Sequence, residues 1–548
     1  MKRLFLLYLS IVCLFVPVAE TYAQESAGPI DSLLRTQFSS KVPGVAALVV
    51  HKGEVVYRSA IGEADVELQV ALDPAHIFRI ASITKQFTAV AILQLAEDGK
   101  LSLEDDVRKY IKDFQPDGPP ITIQHLLTHT SGFGNQNSIK DWDARVRTAD
   151  LNSDYMIGLI NEQTPAFAPG SQYAYSNLGY WLLGYVIEEV TGQPYDVYLE
   201  ERIFEPLGLT HTSYDHAGQI IKNRIPGYSR RNDMYVHPRY LDTRLPYSGG
   251  GLLSTVDDLY QWHKALFTDS EVLPTTLLPM AHQSYVLPNE TATGYGYGWM
   301  IGAVQGQKAI YHDGIIDGFI SFAIYLPESD TFVALLTNCD CTKDIDKLAN
   351  RIAAVAIKQP YTATRIAVSS EQLLQYTGIY RTQSGKEKHI TYQDDELVLH
   401  DKGGTKVMMT PVGEDIFATE AGLNRMQFSK GTGDTLFYEM TTLQGTTSAQ
   451  RVSRETIHLQ TMDMSKVQLE KYAGKYALKG AFTLEIFTEG KNIFGRVGND
   501  AKQISPYDTD YFFVHEMDAR LIFRTDPKGD VVGLTYIQNM EIEGDKTE

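Results

Sequence analysis

An eight-residue stretch occurs twice. Leu373-Leu374-Gln375-Tyr376-Thr377-Gly378-Ile379-Tyr380 returns 96 positions later as Leu469-Glu470-Lys471-Tyr472-Ala473-Gly474-Lys475-Tyr476, keeping the leucine and the Tyr-x-Gly-x-Tyr pattern. Met426-Gln427-Phe428 is matched in the same way by Leu521-Ile522-Phe523, 95 positions on. Matches at one spacing imply a duplicated unit of roughly 90 residues. Beyond Pro360 the chain runs in short alternating segments broken by Gly or Asp, with no long helical periodicity. Such segments predict small antiparallel barrels or sandwiches. The expected boundaries are 361–460 for the first copy and 461–548 for the second.

The remaining chain has a different rhythm. At 548 residues it is too long for one core. Val45 to Ala60 reads as a hairpin around His51-Lys52-Gly53. A long helix follows Phe78-Arg79-Ile80, with Ile83, Phe87, Val90, Ala91 and Leu95 at amphipathic spacing and Asp98-Gly99 as a stop. Further helices are predicted at Ile123–Leu127 and Leu178–Val190. Strands return at Ala309–Tyr311, Phe319–Leu326 and Phe332–Thr337, and a helix over Lys347–Ile357 closes the block. A strand pair, many helices, then strands predict an α+β domain over 24–360: an antiparallel sheet built from both ends and covered by helices.

Lys2 and Arg3 precede an apolar run from Leu4 to Val18, and Thr21-Tyr22-Ala23 offers a small-residue cleavage site. This predicts a signal peptide, 1–23, and an exported protein, periplasmic or secreted, with no membrane span after its removal. The net charge of −19 argues against nucleic acid or an anionic membrane as partner. Of three cysteines, Cys13 lies in the signal. Cys339 and Cys341 make no disulfide framework and read as two partly buried thiols. No metal cluster or nucleotide loop is found, so no cofactor is expected.

The chemistry-bearing residues begin with Ala81-Ser82-Ile83-Thr84-Lys85. Ser82 is the only serine with a lysine three positions later, and positions i and i+3 share a helix face. A serine hydroxyl needs a base, and a lysine serves only if burial lowers its pKa. Tyr175-Ser176-Asn177 is the only Tyr-x-Asn. Tyr175 can act as general base where cations stabilise its phenolate, and the Asn177 amide can hold both an amine and a substrate carbonyl. His312-Asp313-Gly314 follows a strand, where glycine lets a substrate backbone approach. His51-Lys52-Gly53 and His216-Ala217-Gly218 share this pattern; residues 312–314 are preferred because they sit between strand-like segments and come last in order.

Together these motifs resemble the serine β-lactamase and penicillin-binding protein superfamily over about Asp31 to Ile357, in its class C-like branch. The Leu126-Leu127-Thr128-His129-Thr130-Ser131-Gly132 and Gly249-Gly250-Gly251-Leu252 runs are similar to the same branch. The resemblance implies a β-lactamase/transpeptidase-like sheet flanked by helices, with an all-α subdomain. It implies Ser82 as nucleophile, Lys85 as proton acceptor or shuttle and Tyr175 as general base. Asn177 would position the substrate. His312 would stand where the family has a lysine, supplying a donor or a positive charge, and the N–H groups of Ser82 and Ile315, beside Gly314, would form an oxyanion hole. A final His-Asp-Gly in place of Lys-Thr-Gly weakens carboxylate binding and makes β-lactam hydrolysis a doubtful native task. Strand alternation points Asp313 away from His312. The tail resembles that of bacterial D-aminopeptidases, whose appended domains are eight-stranded, lipocalin-like barrels.

The expected activity is hydrolysis of a small peptide, amide, ester or β-lactam through an acyl-serine. D-aminopeptidase, esterase, D,D-carboxypeptidase and β-lactamase are the specific alternatives. A non-catalytic penicillin- or cell-wall-binding protein would need none of the proton-transfer groups.

Overall fold

The computed structural model describes residues 18–135, 139, 141–142, 145–146, 151–267, 276–382, 385–393, 395–401, 406–431, 435–454, 464–478, 482–498, 500–514, 519–537 and 541–547. The signal sequence expected at 1–23 falls mostly outside these residues, as does the boundary expected at 460/461. Among the described residues no helix is long and apolar enough to cross a membrane. The chain divides at Pro360 into two units.

The first unit is built on a six-stranded antiparallel sheet. Its strands are β1 (Val45–His51), β2 (Glu54–Ile61), β3 (Met300–Val304), β4 (Gln307–Ile316), β5 (Phe319–Leu326) and β6 (Thr331–Thr337), in the order β3-β4-β5-β6-β1-β2. The N-terminal hairpin therefore pairs with the last strand of the block, Val45 opposite Thr337 and His51 opposite Thr331. Strands β1, β5 and β6 are buried along their whole length, so helices cover both faces. The main helices are α1 (Val18–Arg35), α2 (Thr84–Glu97), α3 (Asn177–Thr191), α4 (Val256–Phe267) and α5 (Ile345–Ala356). Helices α1 and α5 pack on each other, α1 against β2 and α5 against β5 and β6, while α4 lies on β6 and β1.

Helix α2 departs from its amphipathic expectation. Every residue from Thr84 to Leu95 is buried, because the helix is enclosed by α3, the turn at Tyr247–Gly250 and the other parts of the core. Its polar residues are matched rather than solvated. Thr88 Oγ1 donates to the Ser248 carbonyl at 2.6 Å, and Gln86 Oε1 accepts from Trp262 Nε1 at 3.1 Å. The cysteine expectation also changes: Cys339 and Cys341 form a disulfide. Beyond Thr337 the chain leaves the extended conformation and turns, bringing the two Cα atoms to 5.1 Å, within the usual span of a bridge.

The second unit holds two closed eight-stranded antiparallel barrels. Gly378–Thr382 pairs with Gly445–Ser453 to close the first, and Gly474–Leu478 pairs with Glu541–Lys546 to close the second. Each is filled by side chains, among them Tyr380, Met409, Phe428 and Tyr438 in one, and Tyr476, Ile504, Phe523 and Leu534 in the other.

The repeated octapeptide marks how each barrel starts. A Ser-x-x-Gln capping box, Ser369/Gln372 or Ser465/Gln468, opens one helical turn. The first tyrosine, Tyr376 or Tyr472, donates to the carboxylate of Asp415 or Asp510. The second, Tyr380 or Tyr476, donates 2.7 Å back to the carbonyl of the first. The glycine between them has a φ of 143° or 147°; at Gly378 a Cβ would meet the Ser453 carbonyl oxygen at 2.4 Å. Removing one hydroxyl strands a buried carbonyl, so Tyr380→Phe or Tyr476→Phe should each cost about 1–2 kcal/mol. Urea unfolding of the full chain checks this; an unchanged midpoint in both variants would refute the role assigned to the motif.

Candidate active site

Ser82 sits in a 3₁₀ turn, Ala81–Ile83, that runs directly into α2. Ala81 takes a φ of 46°, a conformation L-residues rarely adopt outside constrained sites. The turn is pinned to the sheet at Gly314 of β4. A Cβ there would lie 2.4 Å from the Ile80 carbonyl oxygen and 2.4 Å from Ser321 Oγ, and Ser321 Oγ donates to that same carbonyl at 2.7 Å. Gly314 is thus the point at which the strand can touch the turn that carries Ser82.

One helical turn further, Lys85 is completely buried. Its Nζ is 3.0 Å from Ser82 Oγ, 2.9 Å from Asn177 Oδ1 and 2.6 Å from the Gly249 carbonyl oxygen. Burial pulls its pKa down to about 7, with the negative charge of Asp313 opposing the shift. The three partners come from three separate elements. Asn177 opens α3, whose N-cap Ser176 accepts from the Gly179 N–H. Gly249 belongs to a short helix, Tyr247–Gly250, that closes onto α3 where Gly184 leaves room: a Cβ there would be 2.2 Å from Ser248 Oγ.

Tyr175 packs its ring 5.1 Å from Lys85 Nζ. Burial raises its pKa well above the usual phenol value, and a hydrogen bond with Ser82 offsets this only in part. The phenol therefore keeps its proton at neutral pH.

His312 is placed differently from its expected role. Its ring is fully buried. Nδ1 donates to the Asp313 carbonyl at 2.5 Å, and Nε2 accepts from the Tyr295 hydroxyl at 3.0 Å. Burial lowers its pKa to about 4, so it is neutral and both nitrogens are committed. It supports the aromatic wall behind Tyr175, 6.2 Å between ring centroids, rather than offering charge to a ligand. Asp313 also differs from simple alternation: its carboxylate comes within 4.0 Å of His312 Nδ1, and its charge reaches Lys85 and Tyr175.

Ser82 and Asn177 line a cleft of about 390 Å³ together with Leu178, Trp181, Gly249 and Ile315. Ile315, the residue after Gly314, is exposed on this cleft at 66%. Further along the wall, Arg239 and Asp317 face each other at 3.7 Å. The structure thus gathers Ser82, Lys85, Tyr175, Asn177, Gly314 and Ile315, with His312 behind them. The sequence reading gave no role to the Gly249 carbonyl, Tyr295 or His129; the Gly-Gly-Gly and His-Thr-Ser-Gly runs were the available signals. Among the described residues no group of His, Cys, Asp and Glu could hold a metal ion.

The fold and the burial of Lys85 on Ser82 agree with the resemblance drawn from the sequence motifs. The chain belongs to the serine β-lactamase and penicillin-binding protein superfamily, since the family model described as Beta-lactamase matches residues 24–357. A second model, a domain of unknown function (DUF3471), matches residues 461–548. The chain is 29% identical over 325 residues to Protein flp of Staphylococcus aureus strain N315, covering 57% of this chain. It spans 63% of the length of that relative. Among solved structures, an octameric penicillin-binding protein homologue from Pyrococcus abyssi is similar, with a TM-score of 0.54 and 26% identity, over 77% of this chain and 99% of that one. A D-stereospecific amidohydrolase from Streptomyces sp. is similar with a TM-score of 0.50 and 26% identity, over 61% of this chain and 97% of that one.

Gly314→Val should push β4 off the Ser82 turn, costing about 1–3 kcal/mol from overpacking. It should also slow acylation of Ser82 in the folded fraction. Thermal unfolding and the rate of fluorophosphonate labelling check this; a variant as stable and as reactive as the parent would contradict it.

Proposed function

We propose that the protein is an exported serine hydrolase that opens a peptide, amide or ester bond through an acyl-serine at Ser82. The carrying observation is the hydrogen bonding of Lys85. A neutral amine has two N–H donors and one lone pair. Asn177 Oδ1 and the Gly249 carbonyl are acceptors only, so they take both N–H groups. The lone pair is then left for the Ser82 O–H at 3.0 Å. With a pKa of about 7 the amine is free near neutral pH.

In acylation Ser82 Oγ bonds to the substrate carbonyl carbon as its proton passes to Lys85 Nζ. The N–H groups of Ser82 and Ile315 stabilise the oxyanion, each worth about 3 kcal/mol. The C–N or C–O bond breaks as the leaving group takes a proton from the Tyr175 phenol, which is replenished by the Lys85 ammonium. Water then bonds to the acyl carbon as its proton passes through Tyr175 to Lys85 Nζ; the bond from that carbon to Ser82 Oγ breaks, Oγ takes the proton back from the Lys85 ammonium, and the acid leaves. In this scheme the protonated Tyr175 relays and the lysine is the base, whereas the sequence motif alone had made Tyr175 the base.

The substrate class follows from charge. With His312 neutral and enclosed, β4 offers no side-chain cation beside Ile315, and Asp313 contributes negative charge. A carboxylate next to the scissile bond, as in β-lactams and D-Ala-D-Ala termini, is poorly served. Neutral amides and esters fit better, and the likeness to a D-stereospecific amidohydrolase supports D-amino-acid amides among them.

Three measurements test this reading. Ser82→Ala should lose fluorophosphonate labelling; undiminished labelling would sink the assignment. The acylation rate should rise with pH through about 7, because the amine is protonated below its pKa and free above it. A rate falling with pH through that window would exclude Lys85 as base. Among D-amino-acid amides, short esters, D-Ala-D-Ala peptides and a chromogenic cephalosporin, the first two should be turned over fastest.

A further inference from the structure

Reading Ser82 as an acylated nucleophile leaves one deeply buried group near it without a task. His129 is 1% exposed and adopts a φ of 57° in the loop after the Ile123–Leu127 helix. We infer that His129 is a positioning residue for the Ser82 reaction, clamping the segment that carries Tyr175 and Asn177 against Lys85; the inference rests on the acyl-serine reading above.

The clamp has two jaws. The His129 carbonyl accepts from the Ala174 N–H at 2.9 Å, and the ring Nδ1 accepts from the Ser176 N–H at 3.1 Å. Ala174 and Ser176 flank Tyr175, so the backbone on both sides of the tyrosine is fixed by one residue. The ring itself lies against Tyr175 at 4.2 Å between centroids, Tyr295 at 4.5 Å and Tyr180 at 5.0 Å. Tyr295 in turn holds His312, and Tyr180 donates to the Leu127 carbonyl at 2.9 Å. The Ser176 jaw also sets the start of α3, because Ser176 is its N-cap and Asn177 its first residue.

The clamp works only with a neutral imidazole. Nδ1 is an acceptor, so the proton sits on Nε2, which is buried and has no hydrogen-bond partner among the described residues. Burial, and the repulsion that Lys85 or His312 would exert when protonated, hold the ring's pKa well below its ordinary value. A protonated ring would turn a second N–H toward the Ser176 N–H and open the jaw. A histidine buried merely to fill space would need neither the accepting nitrogen nor the left-handed backbone.

Two substitutions separate positioning from filling, since both tolerate the backbone at this φ. His129→Asn keeps an acceptor near Nδ1, whereas His129→Gly removes it. Steady-state kinetics on a D-amino-acid amide or ester, in the full chain, should show kcat falling about 100-fold in H129G and by no more than about tenfold in H129N, with KM changed by less than about threefold in both. Parent turnover with none in Ser82→Ala establishes the acyl-serine reading independently. Equal kcat losses in the two variants, or a loss confined to KM, would overturn the role of His129 while leaving that reading intact. If H129G does not fold, His129→Leu, which keeps volume without an acceptor, must show the same loss in kcat; parent-like turnover in H129L would likewise overturn it.

Discussion

A lysine amine with no exposure is the constraint on which the first unit depends. Keeping Lys85 charged in that site at neutral pH would cost on the order of 5 kcal/mol relative to water, from the drop of its pKa to about 7. One hydrogen bond returns a fraction of this, so the amine has to be matched by carbonyls from more than one element. The structure supplies them from α3 through Asn177 and from the 247–250 turn through Gly249. Those two acceptors also aim the lone pair, which makes the same arrangement a matter of folding and of chemistry.

The rest of the unit can be followed outward from that point. Helix α2 is buried from Thr84 to Leu95, and its polar Thr88 and Gln86 find partners in Ser248 and Trp262. Gly184 and Gly314 are two of the places where elements come too close for a side chain, one bringing the turn to the amine and the other bringing β4 to the serine. Behind Tyr175, His129, Tyr295 and His312 form a neutral aromatic wall whose nitrogens and hydroxyls bond mainly to each other and to the backbone. Such a wall keeps the surroundings of Lys85 dry without introducing a competing cation.

The two barrels rest on another local rule. Their first turns repeat because one tyrosine hydroxyl satisfies the carbonyl of another at a glycine with positive φ. That demand falls on a few adjacent residues, which is why an octapeptide carried it visibly across 96 positions of sequence.

What the sequence by itself determined was of this short-range kind. It determined the hairpin around Lys52-Gly53, the strands at 319–326 and 332–337, the barrel-starting repeat, and the pairing of Ser82 with Lys85, three residues apart on one turn. Asn177 was legible because its motif occurs once. Tertiary structure decided what depends on groups distant in the chain. The acceptors that hold the buried Lys85 amine lie 92 and 164 positions away. Enclosure of His312 by Tyr295 turned an expected charge donor into a neutral support. The bend after Thr337 joined two cysteines expected as thiols. The alternation of a single strand did not reveal that Asp313 lies near His312 and acts on Lys85. Charge state and reach are set by what surrounds a side chain, and for this site those surroundings assemble only when the sheet, α2 and α3 have closed on one another.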